Sequence, residues 1–177
     1  NYPLSKKIKK YQQDTNIIHF VAPTVWAWRA SRARKFAKVY NEIFTLFSFE
    51  NKFFEKYNLK STCIGHPIYY IKNNSNVVKI KNNVAFLPGS RMGEIKSLFI
   101  YYQLAYEQLM ETNSKLQIFI PTLPHLREEI FERIKKWKMD TIIIMDDKQM
   151  ENYFLKTKIA LVCSGTASLE IAKRGIP

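Results

Sequence analysis

Cysteine is nearly absent. Cys63 and Cys163 are the two in 177 residues, and neither a CxxC pair nor a Cys/His spacing marks a metal site. Both fall in segments that read as strands, which predicts buried free thiols in a reducing compartment. The three histidines, His19, His66 and His125, are far apart in sequence. No apolar run reaches the roughly 18 residues that span a bilayer, and Asn1 to Lys10 is polar and basic with no apolar stretch behind it, unlike a signal peptide. Acidic residues are scarce, 15 against 28 lysines and arginines, so the formal charge is +13. Such a charge suits an anionic partner: nucleic acid, a membrane surface or a phosphorylated substrate. An AT-rich genome also inflates Lys and Asn, and part of the charge reads as compositional drift.

Apolar residues make up 46% and aromatic residues 14% of the chain, which argues for a packed core over disorder. The length holds one ordinary domain or two small ones. The chain begins with Asn1 and ends Arg174-Gly175-Ile176-Pro177, a helix stop followed by what looks like the entry to another strand. These ends read as those of a piece cut from a longer protein.

Along the chain, strand-like and helix-like segments alternate. Strands are expected at 17–22, 42–47, 61–65, 84–87, 116–120, 141–145 and 159–163. Helices are expected at 29–40, 50–57, 94–111, 126–137, 148–156 and 166–173. This alternation predicts an α/β fold of parallel sheets covered on both faces. Residues 72–83, rich in Asn and Lys, read as a linker between a first unit, 1–71, and a second, 84–177. Ligands of such folds bind beyond the carboxyl ends of the strands.

Three motifs sit at such ends: Pro88-Gly89-Ser90-Arg91, Pro121-Thr122-Leu123-Pro124, and Ser164-Gly165-Thr166-Ala167-Ser168-Leu169-Glu170. In the last, a strand, a turn of small residues and a helix leave free backbone N–H groups at the positive end of the helix dipole, a ready anion site. Thr166 and Ser168 add hydroxyls, Ser164 is a candidate N-cap, and Glu170 stands about one turn on, placed to accept from sugar hydroxyls. An ordinary capped helix fits the same residues. In the Pro88 motif, Gly89 permits close backbone approach, Ser90 donates from N–H and hydroxyl, and Arg91 offers a fork suited to a diphosphate. Its spacing matches neither GxxxxGK[ST] nor GxGxxG. A plain βα loop with a surface arginine fits too. Two anion-compatible turns at neighbouring strand ends can hold one diphosphate from both sides.

Trp26-Ala27-Trp28-Arg29, followed by Arg32, Arg34, Lys35 and Lys38, forms a basic amphipathic segment. It suits anionic lipid, with tryptophans at headgroup level, or a solvated basic helix with tryptophans in the core. No nucleic-acid motif supports base stacking. Ile64-Gly65-His66-Pro67 ends a strand; His66 is either a structural turn residue or a donor to phosphate or sugar. His19 reads as a packed core residue and His125 as a cap or a solvent-facing side chain. Asp146-Asp147 looks like a metal pair without a third ligand, and a helix N-cap is the better reading.

Val21-Ala22-Pro23-Thr24-Val25-Trp26-Ala27-Trp28-Arg29, Ile64-Gly65-His66-Pro67, Leu87-Pro88-Gly89-Ser90-Arg91 with Glu94, and Cys163 to Glu170 together resemble bacterial lipid-A-disaccharide synthase, from about Ile17 to Pro177. The Trp-Ala-Trp-Arg and Gly-His-Pro elements are the specific ones; the other two recur across nucleotide-sugar glycosyltransferases. The resemblance implies a B-type glycosyltransferase of two Rossmann-like parallel-sheet units facing across a cleft. It implies an inverting reaction, without metal or cofactor, that joins UDP-2,3-diacylglucosamine to 2,3-diacylglucosamine 1-phosphate and releases UDP. It places the enzyme on the inner face of the cytoplasmic membrane, against an anionic surface, as a homodimer at full length and with no nucleic-acid partner. Carried over by motif, Gly89, Ser90 and Arg91 face the diphosphate, Ser164, Gly165 and Thr166 hold the phosphate, and Glu170 holds the ribose. Arg91 also stabilises charge on the leaving UDP. Trp26, Trp28, Arg29 and His66 fall on the acceptor or membrane side. The family's Gly-rich first segment and its acidic candidates for general base have no counterpart here, so no base is assigned and turnover by these residues alone is in doubt. Two alternatives stand beside this: a related transferase or epimerase using UDP-N-acetylglucosamine, against which Trp-Ala-Trp-Arg speaks, and a non-catalytic remnant or basic binding protein.

Overall fold

In the computed structural model, residues 1–70, 82–112, 116–138 and 140–177 are described. The chain divides into two compact units, Asn1–Ile71 and Lys72–Pro177. The expected linker at 72–83 lies outside the described residues except for Asn82 and Asn83, and Asn83 already opens a strand.

The first unit holds α1 (Tyr2–Tyr11), β1 (Ile18–Phe20), α2 (Ser31–Phe36), β2 (Glu42–Thr45), α3 (Asn51–Glu55) and β3 (Lys60–Cys63). The strands form a parallel sheet in the order β1-β2-β3, with Ile18 opposite Glu42 and Glu42 opposite Lys60. Consecutive right-handed crossovers put their helices on the same face, and the core gathers there around Ile43, Phe36, Tyr40, Phe54 and Leu59. On the opposite face Ile18 and Phe20 are exposed. Two-faced cover, expected from the alternation, is therefore not seen in this unit among the described residues.

Helix α1 had no sequence-based expectation. Its Pro3 near the start and Lys9 and Lys10 in the last turn suit the helix dipole, and Tyr2 stacks on Phe36 at 5.4 Å. Helix α2 is shorter than the expected 29–40. Arg29 takes a left-handed φ of 58° and cannot belong to it. His19, read as a packed core residue, is half-buried and packs edge-on against the core ring of Phe36 at 4.9 Å, and burial pulls its pKa below the ordinary value. Cys63 ends the edge strand β3 and is exposed, and Cys163 is half-buried, which corrects the expectation of two buried thiols.

The second unit holds β4 (Asn83–Leu87), α4 (Met92–Thr112), β5 (Gln117–Pro121), α5 (Arg127–Ile134), β6 (Thr141–Ile144), α6 (Asp147–Leu155), β7 (Thr157–Val162) and α7 (Thr166–Lys173). Its parallel sheet runs β6-β5-β4-β7. Both faces are covered. Val84, Phe86, Ile118 and Ile120 pack against Ile95, Phe99, Tyr102 and Tyr106 of α4 and against α5. That i, i+4, i+7, i+11 spacing makes one apolar stripe. Ala85, Phe119 and Ile144 pack on the other side against Phe154 of α6 and Ile171 of α7. Asp146 caps α6, accepting from the Gln149 N–H at 2.8 Å, and His125 faces solvent. The α/β class with two Rossmann-like parallel sheets is the one expected.

Candidate functional site

Strand order decides where a ligand can sit in the second unit. The chain steps outward from β4 to β5 and β6, then reverses to place β7 on the far side of β4. Loops leaving β4 and β7 therefore part in opposite directions, which opens a crevice at their carboxyl ends. A pocket of 460 Å³ lies there. The Cys163 N–H donates to the Leu87 carbonyl at 2.9 Å, and the Tyr102 hydroxyl to the same carbonyl at 2.7 Å, so the two strand ends are pinned together below it. Gly89, Ser90 and Arg91 form one wall; Ser164, Gly165, Thr166 and Glu170 form the other. All seven residues expected to bind the nucleotide sugar line this one pocket, as does Thr122 of the Pro121 motif, whose hydroxyl is buried without a hydrogen-bond partner. Cys163 borders it too, and burial pushes its thiol pKa up, away from nucleophilic use.

The first wall is organised by a residue whose part the sequence did not show. One oxygen of the Glu94 carboxylate accepts from the Ser90 and Arg91 N–H groups at 3.0 and 3.2 Å, and the other accepts from Arg91 Nη1 at 2.6 Å. These bonds, that from Ser90 foremost, hold the Glu94 pKa below the usual carboxylate range. The carboxylate thus takes the Ser90 amide that the sequence offered to a phosphate, together with the Arg91 amide beside it, and it caps α4, which starts two residues earlier than expected. The Arg91 side chain stays largely exposed and presents its remaining donors to the pocket.

The second wall keeps its donors open. Gly165, not Ser164, is the N-cap of α7, and no side chain caps this helix. Gly165 sits at φ 155° and ψ −158°, a region open essentially to glycine alone. The Ser168 hydroxyl turns back to donate to the Gly165 carbonyl at 2.6 Å. The Ser168 N–H donates to that same carbonyl at 3.2 Å, so the amides left for a ligand at the start of α7 are those of Thr166 and Ala167, which border the pocket. One turn on, Glu170 Oε1 accepts from Arg174 Nη2 at 3.0 Å.

The other expected site residues belong to the first unit. Trp26, Trp28 and Arg29 lie in the segment between β1 and α2, and His66 follows β3. Trp26 and Trp28 are 47% and 70% exposed, so the reading that put them in the core fails. Val21 and Arg29 bracket this segment with left-handed φ values of 67° and 58°. That conformation is rare for non-glycine residues and is found most at functional sites. His66 is buried, accepts from the Ile68 N–H through Nδ1 at 3.0 Å, and stacks on Phe47. Phe47 stacks on Phe49, and Trp26 packs edge-on against Phe49. An aromatic ladder thus runs from Trp26 to His66 across the carboxyl ends of the strands. Its two middle rungs carried no motif and so escaped the sequence reading.

Among the described residues no cluster of three or more His, Cys, Asp or Glu side chains could hold a metal. No described helix is long and apolar enough to cross a membrane.

Comparison with known proteins points one way. Lipid-A-disaccharide synthase of Rhodospirillum centenum is 30% identical over 99% of the chain, and that of Klebsiella pneumoniae 34% identical over 96%. The chain spans about half the length of these curated relatives, 46% and 47%. Among solved structures, a Glycosylation Associate Protein (Gap123) complex from Streptococcus agalactiae matches all of the chain at a TM-score of 0.52 and 12% identity, covering 40% of that protein. Accessory secretory protein 1, 2 and 3 of Streptococcus pneumoniae matches 99% of it at 0.53 and 8% identity, covering 43%. Those likenesses speak to the fold. A family model described as lipid-A-disaccharide synthetase matches residues 1–177, and the chain belongs to that family.

Proposed function

We propose that this chain carries the UDP-sugar-binding half of a glycosyltransferase of lipid A biosynthesis. The reaction joins UDP-2,3-diacylglucosamine to 2,3-diacylglucosamine 1-phosphate, giving lipid A disaccharide 1-phosphate and UDP. The observation that carries this reading is the convergence of Gly89, Ser90, Arg91, Ser164, Gly165, Thr166 and Glu170 on one pocket at the reversal of strand order. The uncapped start of α7 receives a phosphate through its first amides and its dipole. Arg91 reaches the diphosphate from the facing loop and stabilises negative charge on the leaving UDP. Glu170 accepts from the ribose hydroxyls.

In this reading the first unit serves the acceptor and the membrane. Exposed Trp26, Trp28 and Phe49, beside exposed Arg29, Arg32, Arg34 and Lys35, give a surface that is apolar and cationic at once, as contact with an anionic lipid face requires. His66 is the buried end of the aromatic ladder that starts at Trp26. The enzyme works at the inner face of the cytoplasmic membrane, as a homodimer at full length.

Titration of the 177-residue chain with UDP tests the site. Binding is expected, and Arg91→Ala is expected to weaken it about tenfold or more, the cost of one charge-assisted contact. Absence of UDP binding, or binding indifferent to both Arg91→Ala and Glu170→Ala, refutes the assignment.

A further inference from the structure

Arg174 does not line the pocket, yet it touches two residues that do. Its Nη2 donates to Glu170 Oε1 at 3.0 Å, and its guanidinium lies 4.7 Å from the ring centroid of Phe154. The fork itself is held from behind. Nη1 and Nη2 donate to the two oxygens of Glu151 at 2.8 and 2.6 Å, a bidentate pair. The Arg174 side chain is only 12% exposed, against 40% for Glu151 and 38% for Glu170. Its Nε is buried without a hydrogen-bond partner among the described residues. A buried guanidinium that leaves one donor unsatisfied is not an arrangement that stability alone favours.

We infer that Arg174, clamped by Glu151, is a positioning residue: it fixes the Glu170 carboxylate so that one oxygen is spent on the guanidinium and the other is turned to the vicinal hydroxyls of a bound ribose. The inference rests on the proposed nucleotide site and deepens it. A glutamate on a free helix surface samples several rotamers and hydrates both oxygens. Held by Arg174, it offers one oxygen in one place, and the bonds it makes there are charge-assisted. The discrimination this supplies is specific in kind. A site built to bond hydroxyls rejects an analogue that lacks them, because its carboxylate is left without partners. Arg174 thereby sets selectivity for a ribonucleotide, whereas Arg91 and the start of α7 set affinity for the phosphates.

The test compares UDP with its 2′,3′-dideoxy analogue on the 177-residue chain, folding being checked by circular dichroism. Wild type is expected to prefer UDP by about tenfold, and Glu170→Gln to lose that preference. Arg174→Met is expected to cut the preference to about threefold or less while the dideoxy analogue binds within about twofold of its wild-type affinity. A preference undiminished in Arg174→Met overturns the inference. So does equal weakening of both nucleotides, the signature of a purely structural role. If Arg174→Met does not fold, Glu151→Gln decides: it loosens the clamp from an exposed position, and a preference left intact there overturns the inference. A wild-type chain that does not bind UDP refutes the nucleotide site itself, and with it this role. A wild-type preference that is lost in Glu170→Gln but kept in Arg174→Met refutes only the role of Arg174.

Discussion

Gly89 is where the loop geometry is least forgiving. Its φ is 111°, and a Cβ built there would meet Glu94 Oε2 at 2.6 Å and Glu94 Cβ at 2.9 Å. Gly89→Ala therefore pushes Glu94 off the Ser90 and Arg91 amides and displaces Arg91 with it. UDP affinity is expected to fall about tenfold or more, as for loss of one charged contact, while circular dichroism stays that of the folded chain. His19 gives a prediction in pH. Burial lowers its pKa from 6.5, so the folded state resists protonation that the unfolded state accepts. Its contribution to stability is complete above pH 6.5 and is lost as pH falls through the depressed folded value. Replacing it in His19→Phe, which keeps an aromatic ring against Phe36 and Tyr40, is expected to reduce the drop in thermal midpoint between pH 7.5 and 5.5. An unchanged drop would mean that other groups carry it. At this scale the residues of the two small-residue turns were legible in the sequence, because small residues between a strand and a helix are themselves the signature of an anion-compatible turn, and they line one pocket. It did not show the hydrogen bonds that Glu94 and Arg174 make. Whether a carboxylate meets solvent, ligand or its own loop depends on rotamer and distance, and neither is written in residue type.

Elements were legible where apolar spacing is long and regular. Helix α7 falls on its expected residues, and α4 differs only at its ends, since the Glu94 cap adds two residues in front and a run of apolar positions defines the rest. Short elements were less so. Helix α1 is rich in lysine, and Tyr2 ties it to the unit by ring contacts with Phe36 and Tyr40 and a hydroxyl bond to the Lys35 carbonyl, none of which periodicity announces. Helix α2 was overextended because basic amphipathic spacing continues past Phe36 while the backbone has already turned, with the Val39 and Tyr40 N–H groups both donating to the Phe36 carbonyl. The cap of α6 is testable at this scale. Asp146 supplies one amide with its acceptor, and Asp146→Ala is expected to lower unfolding free energy by about 1 kcal/mol. Urea denaturation measures it; a change indistinguishable from zero would show that the cap is satisfied by water equally well.

For the whole molecule, two parallel-sheet units divide the sequence motifs between them. The glycine and serine turns gather in the second unit at the reversal of strand order. The tryptophans and His66 gather in the first along an aromatic ladder. This division matches the proposed division of labour between nucleotide sugar and lipid acceptor, and the family's motifs carried it into the sequence reading. Net charge did not: +13 is spread over both units and distinguishes no partner by itself. The central claim is that the second unit's pocket is a UDP site. Its most direct test is a map of backbone amide shifts in the 177-residue chain on addition of UDP. The account predicts the largest shifts at Ser90, Arg91, Gly165, Thr166 and Glu170, saturating together with one affinity. Shifts centred elsewhere, or none at millimolar UDP, would contradict it.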